Sequence, residues 1–505
     1  MKKIERAFIS VSDKEGIDVF AQELSKLGIE IISTSKTAKL LAEKGIKIIE
    51  VSDYIEFPEL MGGLVKTLHP KIHAGILSER TESHQKELDR HKIKNIDLVV
   101  VNLYPFEKSP DKNNIDIGGV TLIRSAAKNH EHVAVVVDKN DYANIIHDLK
   151  LNNGILSTGT LKKLAVKAFG YVAYIDSLIY NKLNDELLGE EYPKILSLSF
   201  EKFQDLRYGE NPHQTAAFYK EKNFTQASIS TAKQIHGKDL SFNNILDANE
   251  SLELAREFSE PSAVVLKHTN PCGVASRNKI SEALRAAYEV DIESAFGGVI
   301  ALNRNCDKET AQIISEWFVE VVICPKFEKE AVEILSIKKN IRLLETGDLG
   351  KFPVYSDYRR VVGGILVQSA GFPDITKETC RVVTNRKPTE KEWEDMLFSC
   401  KINKHVKSNG IIYAKNLTAI GIGPGQTSRV MSAKIASLRA GEKAKGAVMS
   451  SDAFFPFRDS IDEAAKAGIT AIIQTGGSIR DKEVIDAANE NNIAMVFTGV
   501  RLFKH

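Results

Sequence analysis

Two polar loops near the start of the chain, Ser10-Val11-Ser12-Asp13-Lys14 and Ser33-Thr34-Ser35-Lys36-Thr37, each follow a short apolar run and open a helical pattern. Free backbone N–H groups and the positive dipole end at a helix N-terminus attract anions. Hydroxyls and a lysine in both loops make the pair read as a phosphate site, although Ser and Thr taken singly are ordinary helix caps. Further on, Lys66-Thr67-Leu68-His69-Pro70-Lys71-Ile72-His73 concentrates two Lys and two His in eight residues. His69 and His73 have the spacing of a metal pair, but Pro70 between them argues against a helix and against HExxH chemistry; the alternative is a solvated turn. Asn102-Leu103-Tyr104-Pro105-Phe106 marks a third strand end, and Asp116-Ile117-Gly118-Gly119-Val120-Thr121 leads into a helix carrying Arg124 and Lys128. Asp, Tyr and Lys beside an anion site suit acid–base work, while each alone is an ordinary structural residue.

The second half has its own candidates. Lys267-His268 directly follows the run Ala263-Val264-Val265-Leu266. Two cation-capable side chains at a strand end are awkward as core. His is the usual general acid–base near neutrality, and the adjacent Lys can hold an anion. Leu206-Arg207-Tyr208-Gly209-Glu210-Asn211-Pro212-His213-Gln214 is dense in polar and turn residues and reads as a site or a plain loop. Gly421-Ile422-Gly423-Pro424-Gly425-Gln426 reads as a strand-to-helix turn that lacks GxGxxG, a weak dinucleotide signal. Ser451-Asp452-Ala453-Phe454-Phe455-Pro456-Phe457-Arg458 sets aromatics beside charges, suited to stacking on a heterocycle or to a hydrophobic lobe contact.

The elements that must position these groups alternate. Strands are expected at Ala7–Val11, Ile29–Ile32, Lys47–Val51, Ile96–Leu103 and His132–Val137, with helices at Glu15–Gly28 and Ala38–Lys44; this alternation argues a parallel α/β sheet. Helices follow over Tyr142–Leu151 and Gly159–Leu188, and Gly189-Glu190-Glu191-Tyr192-Pro193 breaks the pattern, so one domain is expected over 1–195 and a second over 196–505. The second reads as α/β with too many strands for one small sheet, hence two lobes. A short repeat fits: Lys267-His268 precedes Gly273-Val274-Ala275 as Lys404-His405 precedes Gly410-Ile411-Ile412.

The 505 residues suffice for two large domains, and 68 Lys+Arg against 67 Asp+Glu leaves no electrostatic footprint for nucleic acid or an anionic membrane. Five Cys without CxxC spacing disfavour a disulfide framework or structural zinc and fit a reducing cytoplasm. The N-terminus is too short in apolar residues for a signal peptide, and no run approaches a membrane span.

Ordered blocks along nearly the whole chain carry a resemblance: SVSDK at 10–14, VKTLHPKIHAGIL at 65–77, VNLYPF at 101–106, DIGGVTLIRSAAKNH at 116–130, RYGENPHQ at 207–214, VLKHTNPCGVA at 265–275, SAFGGVIALN at 294–303, VKSNGIIYAK at 406–415, GIGPGQTSR at 421–429, SDAFFPFRD at 451–459 and a terminal RLFKH. The sequence resembles the bifunctional purine-biosynthesis enzymes that combine AICAR transformylase with IMP cyclohydrolase. That resemblance implies an N-terminal methylglyoxal-synthase-like domain and a C-terminal domain of two cytidine-deaminase-like lobes. It implies formyl transfer from 10-formyltetrahydrofolate to AICAR, then closure of FAICAR to IMP, in a cytoplasmic homodimer. Carried onto matching positions, Lys66, Tyr104, Asp116 and Lys128 are the cyclohydrolase set, and Lys267 and His268 the transformylase pair. Ser10, Ser12, Lys14, Thr34, Thr37, Thr67, Asn102 and Gly118 hold FAICAR, chiefly by its ribose phosphate, whereas Arg207, Tyr208, Gly297, Asn409, Phe454 and Arg501 bind AICAR or lie near the folate. The zinc signature HxE…PCxxC is absent, since Gly273-Val274-Ala275 follows Pro271-Cys272, so no zinc is expected. Three positions depart from the family pattern: Ser35-Lys36 replaces two glycines, Leu64 an arginine, and Glu320 a substrate-contacting aspartate. Lys36 either supplies the cation lost at Leu64 or is a solvated loop residue.

Overall fold

In the first half, each apolar run is buried on both faces, which requires helices on both sides of a sheet. The computed structural model, which describes residues 3–505, divides into two units, Met1–Ser199 and Phe200–His505. The first unit is built on β1 (Arg6–Val11), β2 (Glu30–Ser33), β3 (Ile49–Glu50), β4 (Leu98–Asn102) and β5 (Ala134–Val136), in the order β3-β2-β1-β4-β5 with every pairing parallel. Phe8, Ile9, Ile32, Val99, Val100 and Val135 fill its core. α1 (Ile17–Lys26) turns Ile17, Phe20 and Leu24 inward, as their helical spacing requires. The helix Thr158–Leu183 covers the sheet with Leu161, Leu164, Ala168 and Val172. Parallel strands bring the loops after β1, β2 and β4 to one sheet edge, where ligands of such sheets bind.

Two local expectations need correction. The strand over Lys47–Val51 is only Ile49–Glu50, because Val51 starts a short helix. Pro70 does not exclude a helix: Pro70–Leu77 is helical, with proline at its first position, where its missing N–H costs nothing. His69 is the N-cap and its ring accepts the Lys71 N–H, while His73 bonds Ser125.

The second unit contains two six-stranded sheets of the same design. The first runs Asn270–Ser276, Ser262–Lys267, Val299–Leu302, Val321–Cys324, Arg342–Glu345, Lys233–His236; the second runs Ala419–Gly423, Ile411–Ala414, Val448–Ser451, Ala471–Gln474, Ala494–Phe497, Arg381–Val382. Each lobe carries a helix with a capping box just before its hairpin, Phe242–Arg256 from Ser241 and Glu390–Asn403 from Thr389. The duplication is therefore present, but its register differs from the Lys-His match. Lys267-His268 corresponds to Lys415-Asn416, both at hairpin turns, whereas Lys404-His405 follows the second lobe's helix. There Lys404 Nζ and His405 Nε2 reach Glu257 of the first lobe at 3.0 and 3.2 Å. Around this contact Leu252, Val264 and Ile323 share one apolar core with Met396, Ile412 and Ile473.

The glycines of Gly421-Ile422-Gly423 lie inside a strand, not a turn. A Cβ at Gly421 would stand 2.3 Å from the Ala436 carbonyl and one at Gly423 2.0 Å from that of Ser432, so the helix Arg429–Ala440 rests directly on strand backbone. Gly273 does the same in the first lobe, 1.9 Å from the Ala287 carbonyl. Among the described residues no helix is long and apolar enough to cross a membrane.

Candidate functional site

At the β1–β2–β4 edge of the first unit, the predicted loops meet. Ser10 Oγ and Thr34 Oγ1 are 2.9 Å apart, and the buried Thr37 hydroxyl donates to the Val11 carbonyl at 3.2 Å. Because Thr34 faces Ser10, it leaves the first turn of α2 (Ser35–Glu43) without a side-chain cap. The Thr37 N–H bonds the Thr34 carbonyl at 2.9 Å, which leaves the Ser35 and Lys36 N–H groups to an anion. Asn102 clasps the first loop: its Oδ1 accepts from the N–H groups of Ser12 and Asp13 at 2.6 and 2.9 Å, and its Nδ2 donates to the Asp13 carbonyl at 3.0 Å. Lys14 Nζ folds back over the same loop, 3.3 Å from the Ser12 carbonyl. Lys36 is exposed on the first turn of α2. Leu64 is exposed too.

Beside the anion loops sit Lys66, Tyr104 and Asp116. Asp116 Oδ1 accepts the Gly119 N–H at 2.6 Å at the start of the helix Gly118–Lys128. Burial pushes the Asp116 carboxyl above its ordinary value, against the opposing pull of the Gly119 and Tyr104 N–H groups and the Lys66 charge. The Tyr104 phenol is raised by burial and by the negative charges of Asp116 and Glu59, so it stays a proton donor. Thr67 is buried against Gly118, where a Cβ would lie 2.3 Å from its hydroxyl. Lys128 is exposed at the far end of that helix, about 15 Å along the axis from Gly118 at 1.5 Å per residue. Sequence reading passed over Glu59. Its carboxylate takes the Ser35 hydroxyl, and Lys66 Nζ lies 3.3 Å from that hydroxyl. Ser35 has φ 27°, on the left-handed side where the resemblance expects glycine.

The second unit shows Lys267 and His268 at a two-residue hairpin turn, Lys267 pairing with Asn270. Lys267 Nζ donates to the Phe296 carbonyl at 2.7 Å, next to Gly297. Gly297 has φ 71° and its N–H bonds the Phe318 carbonyl at 2.8 Å; Glu320 accepts from Asn244 at 2.7 Å. These residues form one group on the first lobe. Asn409, Phe454 and Arg501 form another on the second lobe. The Asp452 N–H bonds the Gly410 carbonyl, and the Leu502 N–H bonds the Asp452 carbonyl at 2.8 Å, which gathers their neighbours. Phe455 belongs to the second lobe's own core, whereas Phe454 is exposed. The groups approach where the Lys407 N–H reaches Asn270 Oδ1 at 3.5 Å. Lys267 and His268 open onto a cleft of about 350 Å³ bounded by Cys272, Asp291, Pro424 and Arg439. Arg207 is exposed on a separate hairpin, its guanidinium 5.9 Å from the Tyr208 ring. Arg429, not singled out in the sequence, is partly buried, with its guanidinium 2.6 Å from Asp452 and its Nε 2.9 Å from Ser451; the end of GIGPGQTSR was its available signal.

Comparison with known proteins agrees over the whole chain. The family described as AICARFT/IMPCHase bienzyme matches residues 126–439, and that described as MGS-like domain matches residues 16–131. The chain is 52% identical to the Bifunctional purine biosynthesis protein PurH of Acetivibrio thermocellus, covering 99% of this chain and 100% of that protein. A solved structure described as Crystal structure of ForH is 33% identical, covers 35% of this chain and 97% of that one, and has a TM-score of 0.33. With an MGS-like N-terminal domain on a parallel sheet and a two-lobed α/β region behind it, the chain belongs to the AICARFT/IMPCHase bienzyme family.

Proposed function

We propose that the two reactions of this bifunctional enzyme, AICAR formyl transfer and IMP cyclohydrolysis, are divided between the two units. The Phe200–His505 unit transfers a formyl group from a folate co-substrate, 10-formyltetrahydrofolate, to the AICAR amine. The Met1–Ser199 unit closes FAICAR to IMP with loss of water. The observation that carries the division is that each unit holds its own acid–base cluster, Lys66–Tyr104–Asp116 in one and Lys267–His268 in the other.

Ring closure joins the carboxamide nitrogen to the formyl carbon. Tyr104, kept protonated, donates to the developing oxyanion, and Lys66 adds positive charge. Asp116 takes or returns the proton as water leaves, and its raised carboxyl suits both roles. Lys128 belongs to this set by resemblance. Ser10, Ser12, Thr34, Thr37, Thr67 and the open first turn of α2 hold the phosphate. In formyl transfer the AICAR amine is a weak nucleophile, because its lone pair is delocalised. The amine attacks the formyl carbon, His268 takes its proton and Lys267 supports the tetrahedral intermediate, which collapses with cleavage of the formyl–N10 bond, tetrahydrofolate leaving with a proton on N10. Burial pushes the Cys272 thiol at the cleft up to about 12; the reading includes no zinc, because Gly273-Val274-Ala275 stands where a zinc signature carries its second cysteine. By resemblance the enzyme acts as a homodimer whose transformylase site is built across the subunit interface, and Arg207 and Tyr208 bind AICAR or lie near the folate.

The deciding experiment supplies AICAR and 10-formyltetrahydrofolate and follows FAICAR and IMP. Wild type yields IMP. Tyr104→Phe accumulates FAICAR, and His268→Ala makes none yet still cyclises added FAICAR. Loss of both reactions in either folded variant overturns the division. Lys36→Gly, with one phosphate cation removed, raises the cyclohydrolase KM roughly tenfold, the equivalent of about 1.4 kcal/mol. An unaltered KM refutes that role.

A further inference from the structure

The turn that presents His268 is made of residues that disfavour it. A two-residue hairpin with both residues left-handed normally uses Asn-Gly. Here His268 has φ 53° and Thr269 has φ 58°, the latter β-branched. The support comes from the helix Phe242–Arg256. Asp247 Oδ2 accepts the His268 N–H at 3.0 Å, and Oδ1 accepts the Thr269 N–H at 2.8 Å. Two bonds from one carboxylate to successive N–H groups fix the peptide plane between them. They thereby set the direction in which the His268 side chain leaves the turn.

We propose that Asp247 is a positioning residue for formyl transfer, holding the His268-Thr269 turn so that the imidazole is presented at the cleft; this rests on His268 being the catalytic residue of that unit. The second lobe supplies an internal control. Asp395 clamps Asn416 and Leu417 at 3.0 and 2.7 Å, and those residues have φ 54° and 51°. The same clamp there presents no imidazole. It serves the fold in both lobes and the chemistry in one.

The test compares Asp247→Asn, Asp395→Asn and His268→Ala in the full-length enzyme, reading kcat and KM for AICAR formylation, cyclisation of added FAICAR, and Tm. An asparagine keeps one acceptor and turns an amide N–H toward the other donor. The expected result is a kcat for formylation at least thirtyfold lower in Asp247→Asn, with KM for AICAR within threefold and cyclisation unchanged. Asp395→Asn shows a similar fall in Tm but formylation within threefold of wild type. If Asp247→Asn keeps kcat within threefold while His268→Ala is inactive, the positioning role is wrong and the catalytic assignment stands. If His268→Ala itself formylates normally, the underlying reading fails. If Asp395→Asn loses formylation to the same extent, the clamp acts only through folding and the proposal is overturned.

Discussion

The two lobes of the second unit use one scaffold to different ends. Both place a lysine before a left-handed two-residue turn, and both clamp that turn with an aspartate from the preceding helix. In one lobe the next residue is His268, and Lys267 reaches the Phe296 carbonyl beside a cleft. In the other it is Asn416, and Lys415 Nζ is satisfied by the Lys445 carbonyl at 2.6 Å. The turn and its clamp therefore belong to the architecture. In the function proposed above, the chemistry belongs to the Lys267–His268 copy, and the other copy contributes from its Asn409, Phe454 and Arg501 side.

The sharpest way to break this comparison is to treat both turns alike. His268→Ala lowers formyl transfer by roughly 100- to 10,000-fold, the usual range for a general acid–base, while Asn416→Ala leaves it within about twofold; steady-state assays decide. Next is the buried contact between lobes. Glu257→Ala leaves Lys404 without its carboxylate and destabilises the unit by about 3–5 kcal/mol, measured by denaturant unfolding. Burial alone would raise the Glu257 carboxyl, but His405 and Lys404 hold it below the ordinary 4.5. Burial keeps His405 itself below its ordinary value, so Lys404 carries the positive charge. A depressed carboxyl contributes stability that is complete above that ordinary value and lost as pH falls through the lower one. Glu257→Gln therefore flattens stability against pH on the acid side below about 4.5.

A smaller effect tests the shared strand–helix contact. Gly273→Ala and Gly421→Ala each force a methyl against a helix carbonyl and cost about 1–3 kcal/mol, comparably in the two lobes, read from the same denaturation curves. The smallest effect expected is from Asn416→His. Putting an imidazole on the second turn adds no formyl transfer to a Lys267→Ala background, because the surrounding groups are absent. Any gained activity would mean that the turn alone suffices.

What could be read from the sequence followed burial. Ala7–Val11, Ile29–Ile32 and Ile96–Leu103 are legible as strands because nearly continuous apolar runs have few other uses. Asn270–Ser276 was not, since its Pro and Gly read as turn although Gly273 is there for helix contact. The repeat was visible but misregistered, because identical Lys-His letters outweighed matching positions. The candidate residues Lys66, Tyr104 and Asp116 lie apart in the chain: Lys66 comes from the segment before the helix Pro70–Leu77, and Tyr104 and Asp116 both come from the connection after β4. Glu59, Asp247 and Asp395 gave no signal: a carboxylate on a helix or loop looks solvated until its partners are known. Lys128 was nameable only through resemblance, and its place at a helix end does not follow from composition.

Counted from the helix caps Ser241 and Thr389, Glu257 and His405 occupy the same place, and they touch each other. Were the halves related by a twofold rotation, such a pair would lie on its axis. In an isologous dimer of identical lobes, a residue on the axis meets its own copy. Glutamate would face glutamate with like charges buried, or histidine would face histidine. Joined in one chain, the halves mutate independently, so an acid can face a base across the axis. Fusion thus permits an asymmetric contact that a pair of identical subunits cannot make.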